Sequence, residues 1–106
     1  MGKAEGYVEN YLRKRTREAG YLCYKFVSPG IKGVPDEIVI HDGHITFIET
    51  KSLTGVTSAS QKKRIQEMRD NGADVRICNT RELIDDFILE CTSLKPLKRS
   101  TTNFNN

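Results

Sequence analysis

No apolar run in these 106 residues approaches the ~20 that a membrane-spanning helix needs. The opening residues, Met-Gly-Lys-Ala-Glu-Gly, carry none of the apolar stretch that directs export. Cysteine is sparse: Cys23, Cys78 and Cys91 are odd in number and widely spaced. A disulfide framework or a zinc knuckle needs pairs at short spacing, so both are excluded and reduced thiols in a cytosolic protein are expected. The length leaves little room for a second domain and excludes barrels and full dinucleotide-binding domains.

Charge of one sign is also lacking. The formal net charge is +3, from 17 basic and 14 acidic residues. All of the excess lies in Lys95, Lys98 and Arg99, so residues 1–94 are balanced and the global charge does not point to a nucleic acid. Local clusters carry more information. Arg13, Lys14, Arg15 and Arg17 lie close together, as do Lys62, Lys63 and Arg64. Such runs are either solvated helix faces or phosphate contacts, and their placement relative to a site decides.

What is present reads as one mixed α/β domain over residues 1–94, followed by a basic polar tail, 95–106, expected to be disordered. Residues 4–19 have helical periodicity, with Tyr7, Val8, Tyr11, Leu12 and Ala19 on one side and Gly20 as the stop. Residues 21–27 are rich in strand formers, and a glycine- and proline-bearing loop follows. Two strands, 37–41 and 44–51, flank Asp42-Gly43, a strong signal for a two-residue hairpin. A polar loop leads to a helix over 59–71, a strand over 75–78 and a third helix. For that helix Asn79 and Glu82 fit a capping box, and Leu83, Ile84, Phe87, Ile88 and Cys91 form its apolar face. The order is α-β-β-β-α-β-α.

The hairpin allows a register to be worked out. With Asp42 and Gly43 as the turn, His41 faces His44, Ile40 faces Ile45 and Ile38 faces Phe47. Asp36 then lies opposite Glu49. Side chains alternate across a strand, so Asp36, Glu49 and Lys51 share the far end of an otherwise apolar face. Two carboxylates so placed are ~5 Å apart at Cβ and repel. A hard divalent cation offsets that repulsion, and Lys51 can neutralise charge developing in a transition state. A salt-bridge cluster with Lys51 pairing both acids is the structural alternative.

Gly33-Val34-Pro35-Asp36, twelve residues, then Glu49-Thr50-Lys51 resembles the PD-(D/E)-x-K nuclease signature. The closer resemblance is to its VRR-NUC branch, the virus-type replication-repair nucleases. It extends along most of residues 5–90, through the early glutamate helix, KFVSPGIKGVPDEIVI, FIETK, a glutamine opening the next helix, and GADVRIC. The resemblance implies a restriction-endonuclease-like mixed sheet flanked by helices, and Mg²⁺- or Mn²⁺-dependent hydrolysis of DNA phosphodiesters. Asp36 and Glu49 would be metal ligands, with the Thr50 carbonyl as a third donor, and Lys51 the catalytic lysine. Glu5 matches the early glutamate as a site residue and metal ligand. Glu9, one turn further along the same face, leaves that choice open. Gln61 matches the helix-start glutamine as a site residue, although Ser58-x-x-Gln61 is equally a capping box.

Lys32, Lys62, Lys63, Arg13 and Arg17 are the candidate DNA contacts. Glu37 is expected on the opposite face from Asp36, and His41 and His44 as exposed hairpin histidines. The resemblance also implies a homodimer acting on four-way junctions or other branched DNA, in the cytoplasm of a bacterial or phage-infected cell. Ile31 and Leu94 are apolar positions open to such an interface. A non-catalytic nucleic-acid-binding module with the same fold, and a nuclease for duplex, single-stranded or RNA substrates, are the other readings.

Overall fold

The computed structural model describes residues 6–97. Glu5, the start of the predicted first helix and residues 98–106 of the predicted tail lie outside them. The elements are α1 (Tyr7–Ala19), β1 (Leu22–Lys25), β2 (Glu37–His41), β3 (His44–Thr50), α2 (Ala59–Asp70), β4 (Asp74–Cys78) and α3 (Arg81–Ser93). Their order is the one read from the sequence. Among the described residues, no helix is long and apolar enough to cross a membrane.

The sheet runs β1-β2-β3-β4, with β1, β2 and β3 antiparallel and β3 parallel to β4. The turn between β2 and β3 holds Asp42 at φ 47° and Gly43 at φ 87°. Positive φ at both positions matches the right-handed twist of the flanking strands, which locks the register. His41 faces His44, Ile40 faces Ile45 and Ile38 faces Phe47, as the turn dictates. The ladder stops at Glu37 opposite Ile48, one residue short of Asp36.

The two sheet faces are covered unequally. Val39, Ile48 and Cys78 point to the face on which α1 and α3 lie, and they pack with Val8, Leu12, Ile84, Phe87, Ile88 and Cys91. Ile65 of α2 and Val75 of β4 are buried, and Val75 lies opposite Phe47 on the other face. Leu22, Ile40 and Ile45 pair across three strands on that face, and Leu22 and Ile45 are 49% and 54% exposed. Cys23, Cys78 and Cys91 are free, and burial raises their thiols to about 12, 11 and 11, which keeps them protonated and unreactive.

Three local expectations change. The cap of α3 is Thr80, whose Oγ1 accepts from Leu83 N–H at 3.1 Å, not Asn79. Asn79 is the connector after β4, whose last carbonyl, on Cys78, still accepts from Lys51 N–H. Leu83 is 43% exposed, because burial follows Ile84, Phe87, Ile88 and Cys91 at strict helical spacing and leaves Leu83 at the rim. Residues 95–97, expected in the tail, lie along the hairpin. Leu97 N–H donates to the Asp42 carbonyl at 2.7 Å, and the Lys95 carbonyl is 2.8 Å from His44 Nε2.

The loop between β1 and β2 is tied to the start of α2 through Gly33. Its φ is +89°, and a Cβ there would stand 2.4 Å from the Ser60 carbonyl oxygen. Both the conformation and the space demand glycine. Gly33→Ala is expected to destabilise the protein by about 2 kcal/mol or more, read as a lower urea midpoint, whereas Gly30→Ala stays within about 1 kcal/mol. A Cβ on Gly30 meets nothing within 4 Å.

Candidate active site

Asp36 sits at the mouth of the β1–β2 loop, just before β2. Its Oδ1 accepts from Thr50 N–H at 3.0 Å and its Oδ2 from Thr50 Oγ1–H at 2.8 Å. The end of β3 therefore grips the carboxylate that the ladder does not reach. The preceding residue, Glu49, is 5% exposed. Its Oε2 accepts from Gln61 Nε2–H at 3.0 Å and lies 3.4 Å from Lys51 Nζ. Lys51 Nζ in turn donates to Gln61 Oε1 at 2.7 Å.

Gln61 forms the capping box that its sequence context offers and also contacts the two neighbouring candidates. Its Oε1 accepts from Ser58 N–H at 2.9 Å while Ser58 Oγ accepts from Gln61 N–H at 3.2 Å, which is a capping box at the start of α2. The same amide then reaches Lys51 and Glu49.

From the other side, α1 contributes Glu9 and the end of β1 contributes Lys25. Lys25 Nζ donates to Glu9 Oε2 at 2.8 Å. Glu9, Lys25, Asp36, Glu49, Thr50, Lys51 and Gln61 line one cleft of about 650 Å³. Of the two glutamates left open by the sequence, Glu9 lines the cleft, and Glu5 lies outside the described residues. Glu37 points to the α1 face, as alternation requires, but it is fully buried there. Arg13 Nη2 donates to Glu37 Oε2 at 3.1 Å, and Cys23 Sγ lies 3.5 Å from Oε1.

The electrostatics follow from burial. Desolvation raises Glu49 to about 7, and the nearby charge of Asp36 adds to it, against the pull of Lys51. Asp36 is raised as well, by desolvation first, although its two bonds from Thr50 oppose that. Glu37 rises through burial and contact with Glu9, whereas Glu9 falls because it accepts from Glu37 and Lys25. Oxygen donors held close together against their own repulsion suit a hard divalent cation. Glu9, Asp36 and Glu37 each offer a carboxylate oxygen, all within 4.8 Å of one another.

The basic candidates divide. Arg13, partly exposed, also pairs with the buried Glu37. Arg17, Lys32, Lys62 and Lys63 are exposed. The Lys32 carbonyl accepts from Arg64 Nε–H at 3.2 Å, a second tie between the β1–β2 loop and α2. His41 is buried between the rings of Tyr21 and His44, contrary to the expectation of an exposed residue, because α1 and the Tyr21 segment cover that end of the sheet. Lys25 and Glu37 were not legible as parts of a site. A lysine ending a strand looks solvated, and alternation alone placed Glu37 away from Asp36.

The VRR-NUC domain model matches residues 5–82. The chain belongs to the VRR-NUC family of nuclease domains. A solved structure titled VRR_NUC domain superimposes with a TM-score of 0.73 at 29% identity, covering 80% of this chain and 94% of that one. A relative named "Putative nuclease p44", from Acyrthosiphon pisum secondary endosymbiont phage 1, is 45% identical over 49 residues. Those residues are 45% of this chain, and the chain spans about half (53%) of that relative's length. Against this VRR-NUC chain the sequence-derived fold and family both hold.

Glu49 makes a stability prediction for the metal-free protein. Its folded pKa of about 7 lies above its ordinary value of 4.5, so the folded state binds the extra proton between them. Stability from this group is full below pH 4.5 and is lost as the pH rises through about 7. In EDTA, Glu49→Gln should be more stable than the wild type at pH 8 by about 1–2 kcal/mol, with the gap closing near pH 5 in urea titrations.

Proposed function

We propose that this domain is a divalent-metal-dependent DNA endonuclease, acting as a homodimer on four-way junctions or other branched DNA. The observation that carries the reading is the convergence of Asp36, Glu49, Lys51 and Gln61, with Glu9, in one cleft.

Asp36 and Glu49 would hold the ion, Mg²⁺ or Mn²⁺, with the Thr50 carbonyl as a third oxygen donor and Glu9 as the α1 carboxylate. When bound, it supplies Lewis-acid charge that offsets the two carboxylates and polarises a phosphoryl oxygen. The protein's part is orientation and charge. Lys51 is held by Gln61 Oε1 and Glu49 at the mouth of the cleft, where its ammonium orients the attacking water and meets charge building on the phosphate. Gln61 keeps Lys51 from folding fully onto Glu49, because the two compete for the same ammonium. Thr50 fixes Asp36 through both carboxylate oxygens, so little of its position is left to reorganise on binding. Lys62 and Lys63 lie exposed near the start of α2 and Lys32 on the β1–β2 loop, and their exposure supports sequence-independent phosphate contacts.

One domain of this size covers one strand, and a four-way junction needs two symmetric cuts, hence a two-fold pair. The half-exposed apolar residues of the second sheet face, among the described residues, support that pairing. Leu22, Tyr24 and Ile45 are each about half exposed, and Ile31 and Leu94 are exposed as well. An apolar face of this kind suits burial against a second copy.

Labelled four-way junction, flap, duplex and single-stranded DNA, incubated with Mg²⁺, Mn²⁺ or EDTA, tests the proposal. Metal-dependent, paired cuts confined to the junction are expected. Lys51→Ala and Asp36→Asn should each lower the rate by about 10³-fold or more while leaving DNA binding within a few-fold. Failure to cut any DNA in either metal, by a folded wild-type chain, overturns the DNA-endonuclease reading. Cutting that is indifferent to branching overturns the junction part alone.

A further inference from the structure

Between Lys51 and Lys62, residues 52–61 carry no charge. They join β3 to α2 and form one wall of the cleft: Ser52, Gly55, Val56 and Gln61 line it beside Glu49 and Lys51. Both ends of this connection are fixed. Lys51 N–H donates to the Cys78 carbonyl at 3.0 Å, and Ser58 caps α2. Between them Gly55 N–H donates to the Ser52 carbonyl at 2.9 Å and closes a turn with Leu53 and Thr54 at its corners. A Cβ on Gly55 would stand 3.1 Å from Ser52 Oγ, so the turn is closely packed.

The side chains on this loop are unusual for their place. Leu53 is 68% exposed, and Val56, at 80%, is the most exposed large apolar residue among the described residues. Single exposed apolar residues are ordinary on a protein surface. Two on one short loop at the rim of a charged cleft stand where a ligand of that cleft must pass.

The chemistry of the cleft says what passes. A phosphodiester that reaches Glu49 and Lys51 brings its flanking nucleotides with it. Successive phosphates of one strand advance ~3.4 Å along a duplex, so the base step beside the scissile phosphate faces the same wall. An uncharged loop gains little from phosphate. Its favourable contact is with base faces, which apolar side chains reach by entering between two stacked bases. Entry costs energy in an intact duplex and little where the stack is already broken. Valine and leucine are short, which suits a step that is open beforehand.

We propose that the loop between β3 and α2 is a wedge: Leu53 and Val56 enter the DNA base step next to the phosphodiester held in the cleft, and so select steps whose stacking is already broken, as at a branch point. The proposal rests on the DNA-endonuclease reading of the site and gives that reading its source of selectivity.

The test reads stacking directly. A four-way junction carries 2-aminopurine, whose fluorescence rises when it unstacks, either at the branch point or inside one arm. Ca²⁺, which also takes carboxylate and carbonyl oxygens, stands in for Mg²⁺, and binding of the full chain is followed by the anisotropy of a separate dye. The wild type should raise the branch-point signal several-fold over the free junction and leave the arm position nearly unchanged. The double substitution Leu53→Ser, Val56→Ser should lose most of that rise while still binding the junction, because phosphate contacts supply most of the affinity. Val56→Ile, which keeps an apolar edge, should retain the rise. In cutting assays the double substitution should lower the preference for junction over duplex by about tenfold. A full rise with the double substitution, no rise on a junction that the wild type binds, or an equal rise at the arm position overturns the wedge and leaves the nuclease reading standing. Failure to bind the junction overturns both. The expected rises in a chain that cuts no DNA would keep the wedge and remove the nuclease function alone.

Discussion

The amide of Gln61 is the constraint on which the site depends. One carbonyl oxygen accepts from Ser58 N–H and from Lys51 Nζ, and the amide nitrogen donates to Glu49. The first bond starts α2, and the other two orient the acid and the lysine of β3. Helix formation and site geometry are thereby one event. A helix start that frays releases the lysine, and a lysine that swings away weakens the cap. Gly33 reinforces this by letting the loop before Asp36 touch the backbone of the same helix start. The two halves of the acidic pair, separated in sequence by a hairpin, are thus referred to one point.

The cleft is expensive to fold. Asp36, Glu37 and Glu49 are all displaced upward from their ordinary pKa values by loss of solvent, and each resists ionisation where it sits. The compensation is graded. Asp36 has two bonds from Thr50, Glu37 has Arg13, and Glu49 has one amide bond and a loose lysine. Glu37 and Glu49 are both raised to about 7, and of the two Glu49 lines the cleft where a ligand could reach it. Such a distribution trades stability for binding, as functional sites commonly do.

Much of this was legible in the residues. The hairpin register followed from two positions that need positive φ, and it held as far as Glu37 opposite Ile48; Asp36, beyond the ladder, is held by Thr50 instead. The elements followed from periodicity, because each buries a single face. What escaped was set by packing between elements distant in sequence. The position of α1 on the sheet, which no local pattern encodes, puts Glu9 in the cleft. Arg13 looked like part of a solvated basic run, and its inward turn depends on Glu37 being buried beneath it. Lys25 looked like an ordinary strand end for the same reason. Gln61 posed a choice between cap and site that has no single answer, since one amide has enough lone pairs and hydrogens for both.

The attachment of α1 has a consequence for the order in which the protein becomes competent. That helix is anchored to the last helix of the described fold: Tyr11 Oη–H donates to Asp85 at 2.6 Å, Arg15 Nε–H donates to the same oxygen at 3.0 Å, and Arg81 donates to the Tyr7 hydroxyl at 3.1 Å. Leu12 and Val8 are buried in a core that α3 completes. Asp36, Glu49, Lys51 and Gln61 come from a short contiguous stretch, whereas Glu9 is held in place only once α3 has arrived. A chain still emerging from the ribosome can form its hairpin before α3 exists. It therefore carries an incomplete acidic cluster until α3 has been made, and the delay is written into the topology.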